Sequence, residues 1–273
     1  MRTNPIGTIF RTFSVDEPHL LKLRQAGLEC IQLAGAVERY LDDPQLSDHL
    51  FTLLDQHHLA VPSLFLSFER QSWATGDVGL TPKPSRVERM LLAARQMLWA
   101  AKRNITLITC HVGDFPTPSS DDYRDWIRDM RHLCAFAKDN GQHFLFETGP
   151  ESADALLNAF SDIGADNLGI NFDPANLLYY NCDDPAEFLA KTHPLIRVVH
   201  CKDAVRPKPG EPHGHETALG QGDTHFTSLL KSLLAHGFHG PLIIERELPP
   251  GPEQERDVAA AVALIRAILN DTP

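Results

Sequence analysis

The sequence predicts an α/β fold, with a single (β/α)8 TIM barrel over residues 1–273 as the first choice and a doubly wound sheet as the alternative. Short apolar, β-leaning runs alternate along the chain with helical segments. The runs that end at Glu147, Asp173 and His200 stand 26 and 27 residues apart. This spacing is close to the ~30 residues of a strand-loop-helix-loop unit. A chain of 273 residues that is 42% hydrophobic can form one large core but is short for two α/β domains.

In the first half of the chain, four strands are predicted at 7–13, 29–35, 61–68 and 105–113. Helices are predicted from Asp16 to Gly27, and over 41–54, 85–102 and 123–140. The segment 69–84 is broken by Gly and Pro after a strand, which indicates a candidate active-site loop. The helix over 85–102 carries apolar side chains at helical spacing, which predicts one core-facing surface made of Val87, Met90, Leu91, Ala94, Met97 and Leu98.

In the second half, four apolar runs end at Glu147, Asp173, His200 and Glu245. Helices are predicted over 152–160, 184–191, 225–235 and 253–269. The long connection over 204–222 is rich in Pro and Gly, and its length beside a strand end predicts a substrate lid.

Composition opposes several other functions. The net charge of −11 and a pI of about 5.6 oppose nucleic-acid binding, which needs a basic surface. Five cysteines without a C-x-x-C pair predict reduced thiols rather than a disulfide scaffold. No run approaches the ~18 apolar residues of a membrane span, and no signal peptide is apparent. We therefore expect a soluble cytoplasmic protein.

The four residues that end the later strands all carry side chains able to bind a metal ion. Glu147, Asp173, His200 and Glu245 stand 26, 27 and 45 residues apart. Because the carboxyl ends of barrel strands meet at one mouth, the four side chains are expected to converge there. Three carboxylates and one imidazole form a hard, oxygen-rich set, which favours Mn²⁺ or Mg²⁺ and also allows Co²⁺ or Zn²⁺.

Any one of these residues alone is more often a cap or a loop anchor than a ligand. Four such groups at neighbouring strand ends would repel one another unless a cation or protons neutralised them, so the joint pattern favours a metal site. Glu247 lies two residues after Glu245, on the same side of the strand. It is an alternative ligand that the spacing leaves open.

The same motifs resemble a known family. The resemblance rests on Glu147, Glu245 and three short phrases. The phrases are Asn171-Phe-Asp173-Pro174, His200-Cys201-Lys202-Asp203 and Leu219 to Asp223. The family that they resemble is the sugar isomerase/epimerase group with a xylose isomerase-like TIM barrel. This group includes ketose 3-epimerases, hydroxypyruvate isomerase, inosose and dehydroshikimate dehydratases, and the multi-zinc abasic-site endonucleases (AP endonuclease family 2).

The resemblance implies that Glu147, Asp173, His200 and Glu245 bind the metal and that the two glutamates move the proton. It also implies a homodimer, and it places substrate-binding groups at His111, Asn176, Lys202 and Arg206. The sequence departs from the family pattern at two positions. The endonucleases have a further zinc-binding His where this chain has Asn176, and the strand-two glutamate common in the family is Gln32 here.

We therefore predict a divalent-metal-dependent isomerase or epimerase acting on a small sugar, keto-sugar or cyclitol through a metal-stabilised enediolate, with Glu147 and Glu245 as acid and base. A dehydratase would use the same ligands and then expel hydroxide. An abasic-site endonuclease and a non-catalytic sugar-binding barrel are the remaining alternatives. The particular substrate, and whether it is phosphorylated, stay open, because substrate choice depends on loop shape.

Overall fold

Eight parallel strands close into a barrel in a computed structural model that describes residues 4–11, 17–35 and 38–272. The first strand pairs with both the second and the last, so the sheet has no free edge. The predicted (β/α)8 barrel is confirmed, and the doubly wound sheet is excluded. The barrel strands are β1 (Ile6–Arg11), β2 (Cys30–Ala34), β3 (Ala60–Phe65), β4 (Leu107–Cys110), β5 (His143–Glu147), β6 (Leu168–Phe172), β7 (Ile196–Cys201) and β10 (Leu242–Ile244).

Helices follow the strands along the chain, and polar side chains cap several of them. Ser120 and Ser152, for example, each accept a hydrogen bond from a backbone N–H of the helix that they precede. The predicted strand end at residue 13 and the predicted helix start at Asp16 lie outside the described residues. The helices are α1 (Glu17–Gln25), α2 (Glu38–Asp42), α3 (Pro44–Gln56), α4 (Arg86–Ala101), α5 (Asp121–Asp139), α6 (Ala153–Ile163), α7 (Pro174–Tyr179), α8 (Pro185–Thr192), α9 (Phe226–Ala235) and α10 (Pro252–Asp271).

The predicted core face of α4 is wrong in part. Met97 is buried, but Val87, Leu91 and Leu98 are exposed. Two arginines of α4 occupy the buried side instead, because they bind the preceding loop: Arg89 donates to the carbonyl oxygens of Gly79 and Asp77, each at 3.1 Å. The buried polar side chains of this helix are those of Arg86, Arg89 and Gln96.

Those arginines fix the candidate active-site loop on the barrel. A Cβ at Gly79, whose φ is +69°, would collide with the carbonyl oxygen of His111. Only glycine permits both this backbone conformation and this close approach. The loop's Trp73 remains exposed and packs edge-on against the His111 ring, with 4.7 Å between the ring centroids.

A two-stranded antiparallel hairpin, β8 (Asp203–Val205) and β9 (His215–Thr217), lies in the connection expected to form a lid. The buried carboxylate of Asp203 accepts hydrogen bonds from the backbone N–H groups of Gly220 (2.9 Å) and Gly222 (3.1 Å) and from the Thr224 hydroxyl (2.7 Å). The end of the H-x-K-D phrase therefore holds the L-G-x-G-D phrase in place.

Replacing Asp203 by alanine is expected to lower the free energy of unfolding by roughly 2–4 kcal/mol, because several buried donors would lose a charged acceptor. Urea unfolding of both proteins measures this difference. Asp42→Ala is the control, since Asp42 forms an exposed ion pair with Arg95, and such pairs contribute about 0–1 kcal/mol. An Asp203→Ala protein as stable as the wild type would show that the clamp does not stabilise the fold.

Among the described residues, every α-helix is either too short or too polar to span a lipid bilayer. All five cysteines are free thiols, and all but Cys182 are buried. Burial raises the pKa of the Cys30 and Cys134 thiols to about 12, which makes both poor nucleophiles at neutral pH.

Candidate metal centre

Four side chains converge at the carboxyl end of the barrel. Glu147 ends β5, Asp173 follows β6, His200 lies on β7 and Glu245 follows β10. Each offers one ligand atom, and these atoms lie within 4.8 Å of one another. Glu245 has the most exposed side chain of the four, at 10%.

Strand alternation explains why these side chains point inward. Cys30, Leu145, Val198 and Ile243 form a small apolar cluster of their own, apart from the main core. Successive side chains of a strand point to opposite faces, so the residue two positions further points the same way. For three of these strands that residue is a member of the centre: Glu147, His200 and Glu245.

The two carboxylate oxygens of Asp173 have different surroundings. Oδ1 accepts hydrogen bonds from the backbone N–H groups of Ala175 (2.8 Å) and Asn176 (3.1 Å) and so caps α7. Oδ2 is buried and has no hydrogen-bond partner among the described residues. One oxygen therefore stabilises the helix, while the other is free to bind an ion.

His200 presents a second such atom. Its Nδ1 lies 2.9 Å from Oε1 of Glu147 and 3.1 Å from Oε2 of Glu245. Neither contact has the geometry of a hydrogen bond, and this buried nitrogen has no hydrogen-bond partner among the described residues. A buried nitrogen and a buried oxygen without hydrogen-bond partners, beside two further carboxylates, form a donor set that fits a divalent ion.

Lys202 lies against the same carboxylates. Its Nζ is 3.4 Å from Oε2 of Glu245, 3.7 Å from Oδ2 of Asp173 and 3.2 Å from Oε1 of Glu247. The Glu247 side chain is 54% exposed and lies outside the group of four. Of the two candidate ligands on this strand, Glu245 is therefore the one placed in the cluster.

The ionisable groups of the centre shift one another's pKa values. Burial would lower the pKa of His200, but Glu245, Asp173 and Glu147 raise it well above its usual value. Burial raises the pKa of Glu147 to about 7. The pKa of Glu245 is lowered despite burial, because Lys202 and His200 stabilise its charged form. The carboxylates thus stabilise the charged form of His200, and the cationic groups in turn stabilise the charged form of Glu245.

His111 follows β4 and lies beside the centre, outside the group of four. Its Nδ1 accepts a hydrogen bond from the backbone N–H of Gly113 at 3.3 Å, so Nε2 carries the proton of the neutral ring. Burial lowers the pKa of His111 to about 4, and nearby Lys202 contributes to this shift. Its Nε2 is buried without a hydrogen-bond partner among the described residues. This N–H can donate to a bound oxygen atom.

Glu151 is a buried carboxyl group that sequence reasoning missed. A Cβ on Gly149 would lie 2.9 Å from Nε2 of His111 and 3.3 Å from Oε2 of Glu151, so both atoms border one small space. Burial raises the pKa of Glu151 to about 8, which favours the protonated form of the carboxyl group at neutral pH. Its position four residues after Glu147 was the only available signal, and an acidic residue in a turn gives no sign of burial.

The pH dependence of the free energy of unfolding tests whether Glu151 is buried and protonated. Since the pKa of Glu151 rises from 4.5 to about 8 on folding, its protonated form is favoured in the folded state. The stability that this provides is fully present below pH 4.5 and is lost as the pH rises through about 8.

We therefore expect the free energy of unfolding of the wild type to fall between about pH 5 and pH 9 more steeply than that of Glu151→Gln. Denaturant unfolding across this range measures both slopes. Glu88→Gln, which changes an exposed residue of α4, should keep the wild-type slope. Equal slopes in all three proteins would contradict a buried, protonated Glu151.

Two predicted substrate-binding residues are engaged elsewhere. The Asn176 side-chain amide donates to the carbonyl oxygen of Thr148 at 2.9 Å. The Arg206 guanidinium donates to Oδ1 of Asn181 and to the carbonyl oxygen of Asp183, each at 3.0 Å. Lys202 and His111 are the predicted substrate-binding residues that lie against or beside the centre.

Fold and site together define a (β/α)8 barrel with a carboxylate–histidine cluster at the carboxyl ends of its strands. The family model of the xylose isomerase-like TIM barrel matches residues 20–268. The chain is also similar to a xylose isomerase domain protein from Planctomyces limnophilus, with 32% identity, a TM-score of 0.92 and 99% of each chain covered. The chain therefore belongs to the xylose isomerase-like TIM barrel family, and the resemblance found in the sequence is confirmed.

More distant structures share the fold. One is a xylose isomerase-like TIM barrel protein from Mycobacterium smegmatis in complex with magnesium, with 19% identity, a TM-score of 0.77 and coverage of 99% of this chain and 98% of that one. A D-tagatose 3-epimerase-like protein has 19% identity, a TM-score of 0.77 and 97% of each chain covered. A probable 3-DHS dehydratase from Bacillus anthracis has 15% identity and a TM-score of 0.70, with 95% of this chain and 98% of that one covered. No curated protein matched the chain in a sequence comparison.

Proposed function

We propose that the chain is a divalent-metal-dependent isomerase or epimerase that acts on a small sugar, keto-sugar or cyclitol. The observation that carries this proposal is the placement of Glu147 and Glu245. Their ligand atoms lie within 4.8 Å of each other, and both side chains contact Nδ1 of His200. Two carboxylates so close can serve one carbon atom of a bound substrate as base and acid. The resemblance to an epimerase-like structure supports this chemistry.

The centre would hold the ion through Glu147, Asp173, His200 and Glu245. When bound, the ion would polarise a carbonyl and its neighbouring hydroxyl and stabilise the negative charge that develops as a proton leaves. One glutamate takes that proton from carbon to give an enediolate, and the other returns it. Return to the opposite face of the same carbon gives an epimer. Return to the adjacent carbon, with a proton passed from the hydroxyl oxygen to the former carbonyl oxygen, gives an isomer.

Three further side chains would orient the substrate. The Nε2–H of His111 and the protonated Glu151 can donate to hydroxyl or carbonyl oxygens. The Lys202 ammonium lies 3.4–3.7 Å from two of the proposed ligands, so an oxygen bound at the cluster would be within its reach. Asn176 and Arg206 stay predictions: the Arg206 guanidinium would have to leave Asn181 and Asp183 to bind substrate.

The nature of the ion is part of the proposal. Oxygen donors outnumber nitrogen by three to one in the cluster, which favours Mn²⁺ or Mg²⁺, while Co²⁺ and Zn²⁺ can compete. A magnesium complex of one similar barrel is consistent with this preference.

A cytoplasmic location, a single domain and a homodimer stay predictions.

A dehydratase is the second candidate, and the protonated Glu151 beside His111 favours it. Dehydration begins with the same removal of a proton from carbon, and the departing hydroxyl then needs a proton donor. A buried carboxylic acid next to the cluster can supply that proton. The likeness to a probable 3-DHS dehydratase is consistent with this alternative.

Incubation of the Mn²⁺-loaded protein in D2O with a panel of ketoses and keto-acids tests both candidates. An isomerase or epimerase is expected to give a product of unchanged composition that carries solvent deuterium on carbon. A dehydratase would give a product that has lost water and absorbs in the ultraviolet as an enone. If sugars bind but no carbon-bound proton exchanges, the barrel is a sugar-binding protein and the proposed function is wrong.

A further inference from the structure

Gln32 lies directly behind the metal centre. It follows Cys30 by two residues on β2, and it is fully buried. Its Oε1 is 2.8 Å from Nε2 of His200, the ring nitrogen that faces away from the carboxylates. A residue from the opposite part of the barrel therefore contacts the one imidazole of the cluster.

Two hydroxyl groups hold the Gln32 amide. Its Nε2 donates to Oγ of Ser63 at 3.0 Å and contacts Oγ1 of Thr109 at 3.4 Å. Both partners are fully buried. The amide plane is thus fixed by groups on β3 and β4, with its oxygen directed at His200.

The chemistry of imidazole gives this contact a consequence. A neutral ring carries one N–H, so a ring that offers the Nδ1 lone pair to an ion must carry its proton on Nε2. That N–H is buried and needs an acceptor. The Gln32 oxygen provides one, and residues in such positions typically orient a ligand and fix its tautomer.

Asn171 contacts the same nitrogen. Its Nδ2 lies 2.8 Å from Nε2 of His200, while its Oδ1 is buried without a hydrogen-bond partner among the described residues. With this amide turned by 180°, its oxygen would accept from the same Nε2–H. Both amides then favour the same tautomer of His200.

A neutral acceptor also suits the charge of the centre. The three carboxylates are matched by a divalent ion together with the Lys202 ammonium. A glutamate at position 32 would accept the same hydrogen bond but add a fourth negative charge. The amide fixes the ring without that charge.

We propose that Gln32 is a positioning residue that holds the proton of His200 on Nε2 and thereby presents the Nδ1 lone pair to the ion. This inference rests on the proposed function, because it presupposes that the cluster binds a metal.

Calorimetric titration with Mn²⁺ tests the proposal without substrate. Gln32→Leu is expected to weaken Mn²⁺ binding by about 10- to 100-fold, the usual effect of losing such a partner. Gln32→Glu keeps an acceptor and should bind at least as tightly as the wild type. The matched control is Gln96→Leu, which removes another buried glutamine. Gln96 lies on α4 and donates to the carbonyl oxygen of Ser67. This variant should leave the affinity for Mn²⁺ unchanged.

Nuclear magnetic resonance of histidine-labelled, Mg²⁺-loaded protein gives a second readout. A slowly exchanging Nε2–H of His200 is expected in the wild type and in Gln32→Glu, and a fast-exchanging one in Gln32→Leu. If Gln32→Leu does not fold, Ser63→Ala replaces it, with a smaller loss of affinity expected because the amide is less firmly held.

Two failures can be told apart. If the wild type binds no divalent ion, the proposed function fails and this inference fails with it. If the wild type binds Mn²⁺ and Gln32→Leu, or its replacement Ser63→Ala, binds it equally well, only the role of Gln32 is overturned.

Discussion

Replacement of Glu147 by glutamine is expected to abolish the exchange of the substrate's carbon-bound proton with solvent deuterium. Glutamine has nearly the same shape as glutamate, but its amide cannot accept a proton at neutral pH. General acid–base groups typically contribute about 10²- to 10⁴-fold to the rate. The loss of turnover should therefore fall within or above this range, since Glu147 is also a proposed ligand.

Glu247→Gln is the matched control for this experiment. Glu247 lies on the same side of the site and contacts Lys202, but it is largely exposed and stands outside the cluster. This variant should exchange deuterium at close to the wild-type rate. Exchange near the wild-type rate in Glu147→Gln, with its Mn²⁺ content measured in parallel, would remove Glu147 from the mechanism.

Replacement of Asp173 by asparagine is expected to weaken metal binding by about 100-fold or more, because a charged ligand becomes neutral at the centre of the site. The fold should survive the change. An asparagine oxygen can still accept from the backbone N–H groups of Ala175 and Asn176, and Asn is as good an N-cap as Asp. Titration with Mn²⁺ and thermal unfolding separate these two effects.

Asp184→Asn provides a control with the same local structure. Asp184 also precedes a proline at the first position of a helix, and its Oδ1 accepts from the N–H groups of Ala186 (2.9 Å) and Glu187 (3.2 Å). It has no place in the cluster, so its replacement should leave Mn²⁺ affinity unchanged. Equal affinity in Asp173→Asn and the wild type would show that Asp173 is only a helix cap.

The barrel and the four converging residues could be predicted because both follow from short-range pattern. Apolar runs such as those before Glu147 and His200 mark strands, and strands repeated at one spacing mark a barrel. Barrel geometry then brings the residues at the strand ends together, wherever they stand in the chain. Alternation also places Glu147 on the same side as Leu145 within the barrel.

Other features depend on contacts that no local pattern records. The buried arginines of α4 donate to carbonyl groups of the loop that precedes this helix, and no spacing in the sequence marks those contacts. The hairpin of β8 and β9 pairs three-residue strands too short to leave a pattern. Glu151 is buried beside Gly149, whose backbone N–H donates to its carboxyl group, and Gln32 reaches His200 only across the closed barrel.

Mn²⁺ titration of chelator-treated protein, with turnover followed at each addition, tests the central claim most directly. One divalent ion per chain, held by Glu147, Asp173, His200 and Glu245, should restore activity in proportion to its binding. The chelated protein alone should be inactive. Undiminished turnover after complete removal of metal would contradict the account, because the four side chains would then serve no ion in the reaction.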